Sequence, residues 1–511
     1  MLTLLITLPL LGALLILRRS DHEAEAIRLE AAIWSGLVAV LSSLMYWQAA
    51  RTTGGAANQF AFEIDAPLFA RFGIRYHLGI DGVSGLLVML TGVLGFISVL
   101  SSWTSVQERV KGFMVALLAL ESAVIGVFSA LDLFVFYIFW EAVLIPMYFL
   151  IGIWGGERRI YAAIKFFLYT LVGSLLMLVA FLWLAYSGPE RSFDLLQLYQ
   201  RDIPVGQQLL PFLAVALAFA IKVPLFPLHT WLPDAHVEAP TAGSIMLAGV
   251  LLKMGTYGFI RIALPLFPVA AAQAAPWIIA LAVIGIIYGA LVALAQPDVK
   301  KLVAYSSVAH LGFVMLGLFT FTLAGLQGGM IQQINHGVST GALFLMVGMI
   351  YERRHSRQIS DFGGLWSQMP LFSRLFLVTM LASVGLPGLN GFVGEFLVLL
   401  GASERSIGLA VAAGIGVILA ASYLLWMFQR VVYGPAESPE VRKLTDLNQR
   451  ELWCIVPLAV LMFWLGLFPT AFLKPAEPTM RWLAQRVELG GQPAATRGAT
   501  ATAGAVEGLN R

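Results

Sequence analysis

Apolar runs long enough to cross a bilayer recur from one end of the sequence to the other, and that recurrence constrains the fold more than any other feature. A helix needs about 20 such residues to span roughly 30 Å of hydrocarbon. Runs of this kind lie near 2–17, 31–49, 78–103, 112–130, 132–153, 161–187, 209–231, 241–264, 274–296, 301–321, 326–351, 371–402, 407–433 and 451–474. They predict an all-α polytopic membrane protein with about fourteen transmembrane helices, because a backbone in lipid must satisfy its own hydrogen bonds. Only 12% of the 511 residues are charged, against roughly 25% in a soluble domain. The opening MLTLLITLPLLGALLILRRS has the apolar centre of a secretion signal. It lacks a basic start and a small-residue cleavage site, and reads as a retained first helix.

The runs divide the chain into N-terminal helices over 1–111, two five-helix units over 112–264 and 265–435, and a last-helix region over 436–490. The Ala/Gly/Thr-rich tail over 491–511 is expected to be disordered. Loop charges set the orientation. Odd-numbered loops hold sixteen Lys and Arg residues, among them Arg18, Arg109, Arg158, Lys300 and Arg353, and even-numbered loops hold seven, Arg261 included. Basic loops face the cytoplasm, so both termini are expected on the outer side.

Several chemistries are excluded. One cysteine, Cys454, gives no disulfide framework and no all-cysteine zinc or iron–sulfur site. No H-E-x-x-H, C-x-x-C-H or P-loop occurs, and no G-x-G-x-x-G opens a helix after a strand. No metal or nucleotide site is expected within the chain.

Two runs are interrupted. The seventh carries Pro224 and Pro227 at mid-depth, and the twelfth, about 32 residues long, is broken by G-L-P-G-L-N-G around Pro387. The breaks are five helices apart, an odd number. Helices four to eight and nine to thirteen therefore read as two repeats of opposite topology, the usual framing of an ion path. Two ordinary proline kinks are the plainer alternative.

Ionisable residues sit at similar depth in six different runs: Glu141, Lys222, Lys253, His310, His336 and Glu395. A charge facing lipid costs at least a few kcal/mol, so these six are expected to face one another along a hydrated axis. Glu141 and Lys222 also read as a structural ion pair, the histidines as packing residues, and Glu395 as a half-helix cap. Glu121 and Lys165 are secondary candidates, and His229 and His236 mark a mouth to the aqueous side. The chemistry suits protons. An amine in low dielectric holds its proton weakly, and a carboxylate moving toward it strengthens that hold. Lys222 is thus expected to store a proton under the control of Glu141. Pro224 and Pro227 supply the hinge, and freed backbone groups at the break recruit water.

Three stretches, KVPLFPLHTWLPDAHVEAPTAGSIMLAGVLLKMGTYG, DVKKLVAYSSVAHLGFVMLG and GLPGLNGFVGEFLVL, resemble the antiporter-like subunits of respiratory complex I, and the resemblance covers residues 1 to about 475. The LPDAHVEAPT loop and the acidic Glu395 set the chain apart from the L-type and N-type members, which usually carry lysine at the latter position. The resemblance implies fourteen helices, inverted repeats with discontinuous helices seven and twelve, and proton translocation across the membrane arm of an NADH:quinone oxidoreductase. It assigns Glu141 and its paired Lys222, the central Lys253, His310 and His336, and the terminal Glu395 to the proton relay. NADH, flavin, iron–sulfur clusters and quinone are then expected in partner subunits and no cofactor in this chain. Its partners are other membrane-arm subunits, L-type and N-type neighbours included, and lipid, with no nucleic acid. A bacterial cytoplasmic membrane is the expected location. A multi-subunit sodium/proton antiporter and an energy-converting hydrogenase are the alternatives that share the fold.

Overall fold

In the computed structural model of the chain the described residues are 1–52, 59–436 and 438–491. Beyond its first residue, the tail expected to be disordered lies outside them. Among the described residues twelve helices are long and apolar enough to cross a membrane. Leu2–Leu17 and the two parts of the twelfth run, Pro370–Val384 and Asn390–Arg405, are shorter.

Burial orders these helices. The apolar stretch of Thr241–Leu266 is entirely enclosed, and those of Val299–Thr320 and Leu323–Arg354 are 94% buried. Ile407–Val432, at 28%, and Arg159–Tyr186 and Pro268–Leu294, at 39%, form the rim. Four of the six expected relay residues, Lys253, His310, His336 and Glu395, lie on the three enclosed helices or on Asn390–Arg405 beside them. Close approach at the centre depends on Gly255. A Cβ there would lie 2.6 Å from the Phe219 carbonyl oxygen and 3.1 Å from Lys222 Cβ, so glycine lets the Lys253 helix press against the Lys222 helix.

Both interrupted runs are broken where the sequence predicts. The first helix runs Val205–Lys222 and resumes as Trp231–Glu238, since Pro224 and Pro227 have no N–H to continue it. The second stops at Val384, and Gly385 and Gly388, at φ +87° and +92°, turn the chain before Asn390.

Other boundaries differ from the sequence reading. The run 78–103 begins as strand, and its helix starts at Ser84, because Asp81 accepts from the Val83 and Ser84 amides and caps it there. Strands β1 (Ala61–Phe69) and β2 (Ile74–Ile80) form an antiparallel hairpin that the all-α reading missed. The last run, 451–474, is two helices, Gln449–Leu467 and Thr470–Gly491, separated at Phe468 and Pro469. Lys300 and Arg261, counted with the loops, are buried. Lys300 donates to the Ala239 carbonyl at 2.6 Å, and Arg261 lies inside Thr241–Leu266.

The N-terminus, the hairpin and the C-terminal helix share one end of the bundle. Thr3 bonds Tyr76, Thr479 bonds Asp81, and Arg486 donates to the carbonyls of Tyr199 and Pro265. Arg28, Arg353 and Arg357 gather at the other end, where Arg353 pairs with Glu451 at 2.7 Å and Arg357 donates to the Val237 carbonyl.

Candidate functional site

The enclosed helices bring four of the six ionisable residues into one series. Lys253 stands between two π-helical turns, Leu247–Leu251 and Phe259–Ala263, and such turns displace carbonyls from the regular ladder. Its ammonium reaches one of them, Ala248 O, and also lies 2.7 Å from His336 Nδ1. The His336 and His310 rings are 6.1 Å apart, centroid to centroid. His310 Nδ1 is 2.9 Å from Glu395 Oε1, which also accepts from Gln332 Nε2 at 3.1 Å. All four residues are at most 4% exposed. The plain reading of the histidines as packing residues leaves their polar partners unexplained.

Glu141 and Lys222 are arranged differently. No ion pair joins them. Lys222 Nζ is buried without a hydrogen-bond partner, 5.4 Å from the ring centroids of Trp140 and of Phe166. Glu141, half-buried on the helix Leu133–Trp154, has a buried Oε1 with no partner. Glu141 is hydrogen-bonded to Tyr137 and not to Lys222, so the structural ion pair allowed by the sequence is not formed. Pro224 is buried in the break that follows Lys222, whereas Pro227 and Pro387 are exposed at the two interruptions.

The secondary candidates scatter. Glu121 is buried against Gly95, with Oε1 unpartnered and no contact to the series. Lys165 makes an ordinary ion pair, 2.7 Å from Asp234, and donates to the Thr230 carbonyl. His229 is buried against Phe226 and Tyr288. His236 is fully buried, stacked 4.3 Å from the Phe344 ring, with neither nitrogen bonded. Next to His236, Val237 and Glu238 line a cavity of about 610 Å³ at the arginine-rich end, with Trp154, Lys300, Glu352 and Arg357. His236 is thus a buried neighbour of an aqueous opening and does not line it, as the sequence reading expected of a mouth.

Polar residues that sequence reasoning passed over complete the site. Tyr423 Oη lies 3.3 Å from His310 Nε2. Thr256 donates to Gln333 Oε1 at 2.6 Å, and Asn335 donates to Gln332 Oε1. A separate buried pair, Asp81 with Arg261 at 2.6 Å, closes the hairpin end. The signal for Gln332, Gln333 and Asn335 was in the sequence, as a QQIN cluster inside an apolar run. Tyr423 gave none.

A buried lysine, two histidines and a carboxylate in one file, without metal-ligand clustering among the described residues, is chemistry for proton transfer. The family described as NADH:quinone oxidoreductase/Mrp antiporter, TM matches residues 130–420. NADH-quinone oxidoreductase subunit M of Rhodobacter capsulatus is 47% identical, over 83% of this chain and 86% of its own. NADH-ubiquinone oxidoreductase chain 4 of Marchantia polymorpha is 43% identical over 94% and 96%. A chain of respiratory complex I from Thermus thermophilus with bound NADH superposes with a TM-score of 0.87 at 37% identity, covering 95% of this chain and all of that one. The Mrp complex of Dietzia sp. DQ12-45-1b, at 20% identity and a TM-score of 0.78, shares the fold. The chain belongs to the NADH:quinone oxidoreductase/Mrp antiporter membrane family, and within it to the M-type, antiporter-like subunits of complex I. It is a multi-pass, proton-translocating subunit of the membrane arm of a respiratory enzyme complex.

Proposed function

We propose that protons cross this subunit through Glu141, Lys222, Lys253, His336, His310 and Glu395, in that spatial order. The observation that carries the reading is the buried series of two contacting pairs, Lys253 with His336 and His310 with Glu395, whose facing histidine rings lie 6.1 Å apart. Lys222 holds or releases a proton as Glu141 approaches or withdraws. Its unpartnered ammonium corresponds to the separated arrangement, and the neighbouring break gives the helix freedom to move. The cavity beside Glu238 supports proton uptake at the arginine-rich end. That end faces the cytoplasm of a bacterium, so both termini lie outside.

Helices four to eight and nine to thirteen are two inverted repeats, each carrying one discontinuous helix. Redox energy arrives from outside the chain: NADH, flavin, iron–sulfur clusters and quinone belong to partner subunits, and the L-type and N-type subunits are its neighbours in the arm.

Glu395→Gln tests the reading. The amide keeps the size of the carboxyl group and its contact with Gln332 but carries no titratable proton. Protons translocated per electron, measured in membrane vesicles with the assembled complex, are expected to fall. An unchanged ratio would remove Glu395 from the path.

A further inference from the structure

The two histidines of the series differ in how their protonated forms are satisfied. A neutral imidazole has one donor and one acceptor nitrogen, and an imidazolium has two donors. His336 turns Nδ1 toward the Lys253 ammonium, and its Nε2 is buried with no partner. Protonating His336 therefore sets two cationic donors face to face, competing for the one Ala248 carbonyl, and leaves the other N–H unbonded. His310 is the reverse case. Its Nδ1 faces the Glu395 carboxylate, and its Nε2 faces the Tyr423 hydroxyl at 3.3 Å. A hydroxyl donates to the neutral ring and, on rotation, accepts from the protonated one. His310 is thus bonded at both nitrogens in either state.

Tyr423 comes from the rim helix Ile407–Val432, yet it is fully buried. The groups facing His310 are Glu395 from Asn390–Arg405, His336 from Leu323–Arg354, and Tyr423 itself; Gln332 donates to Glu395, and Ser306 of the His310 helix is a second hydrogen-bond partner of the Tyr423 hydroxyl. Lys253 lies beyond His336.

We propose that Tyr423 is a positioning residue that makes the His310–Glu395 pair the place where the relay holds its proton, with His336 a point of passage. The proposal rests on the relay reading above. No bond other than those to hydrogen changes: the proton arrives at His310 from the His336 side, is shared with Glu395 Oε1, and leaves from there.

The test is Tyr423→Phe in the assembled complex, which keeps the buried ring and removes only Oη. NADH-driven proton translocation and electron transfer are followed together in membrane vesicles from about pH 6 to about pH 8.5, a window in which an imidazole titrates. His310→Ala is measured in parallel. Loss of a hydrogen bond to a charged group weakens proton affinity about tenfold or more. The expected result is therefore a complex that assembles, translocates several-fold fewer protons per electron near neutral pH, and regains translocation about one pH unit lower. A wild-type pH profile overturns the proposal, as does a loss that is uniform at every pH, which marks a packing role. If His310→Ala abolishes translocation while Tyr423→Phe behaves as wild type, only the Tyr423 proposal falls. If His310→Ala itself translocates normally, the relay reading falls with it.

Discussion

Replacing Asp81 by alanine removes a helix cap, a buried ion pair and a hydrogen bond to Thr479 at one buried point. Its Oδ1 caps the helix Ser84–Ser105 through the Val83 and Ser84 amides, and its Oδ2 lies 2.6 Å from Arg261 Nη2 and accepts from Thr479 at 2.9 Å. Arg261 is 2% exposed, so the substitution strands a guanidinium between the Phe60 and Tyr257 rings. Leaving one member of a buried ion pair alone costs about 3–5 kcal/mol, and losing a cap adds about 1 kcal/mol. A loss of about 4–6 kcal/mol follows, enough to release the subunit on mild heating. The assay is retention of this chain in the detergent-solubilised complex across a temperature ramp. Asp81→Ala is expected to lose the subunit at markedly lower temperature. Asp81→Ala combined with Arg261→Met is expected to recover most of the difference, because no buried charge is then unpaired. A double variant no more stable than the single one would refute the reasoning.

Three further perturbations have distinct readouts. Gly255→Val places a Cβ 2.6 Å from the Phe219 carbonyl oxygen, against backbone that cannot turn aside; the subunit is expected to fail to assemble, and normal levels on a membrane blot would contradict this. Lys222→Ala is expected to abolish proton translocation while leaving assembly intact, and full translocation would end the Glu141–Lys222 switch. His77 titrates at the hairpin: burial lowers its pKa, but contacts with Asp194 and Glu63 outweigh this and raise it above the ordinary 6.5. A raised folded pKa contributes stability that is present below about 6.5 and lost as pH rises through the folded value. Proteolytic protection of the hairpin should therefore decline as pH rises above about 6.5, and His77→Gln should flatten the decline.

How much of this was legible in the sequence depended on contrast. Lys253 and Glu395 stood out because an ionisable side chain in the middle of an apolar run is costly, and the breaks at Pro224 and Gly385 were legible because proline and glycine act on the backbone directly. Tyr423 was illegible, since one aromatic residue in an apolar helix is ordinary and only its neighbour on another helix gives the hydroxyl meaning. Arg261 looked like a loop charge beside a helix end because its partner, Asp81, is 180 residues away. The hairpin was hidden for a related reason: strand pairing is non-local, and the LGI that ends the second strand, at 78–80, reads as one continuous run with the apolar helix after it. The helix Thr470–Gly491 reaches well beyond the apolar run 451–474 because its later part is polar and the chain continues helically through Pro475 and Pro478. The separation of Glu141 from Lys222 is a matter of side-chain distance across two helices, which spacing along the chain does not determine.

The most direct test of the relay is Lys253→Met, which keeps the length of the side chain and removes its amine from the contact with His336. Proton translocation and NADH-driven electron transfer are measured side by side in vesicles whose complex is shown to be assembled. A path through Lys253 predicts that proton translocation collapses and that coupled electron transfer slows with it. Translocation at the wild-type ratio of protons to electrons would contradict that path and leave the buried series a structural feature of the bundle.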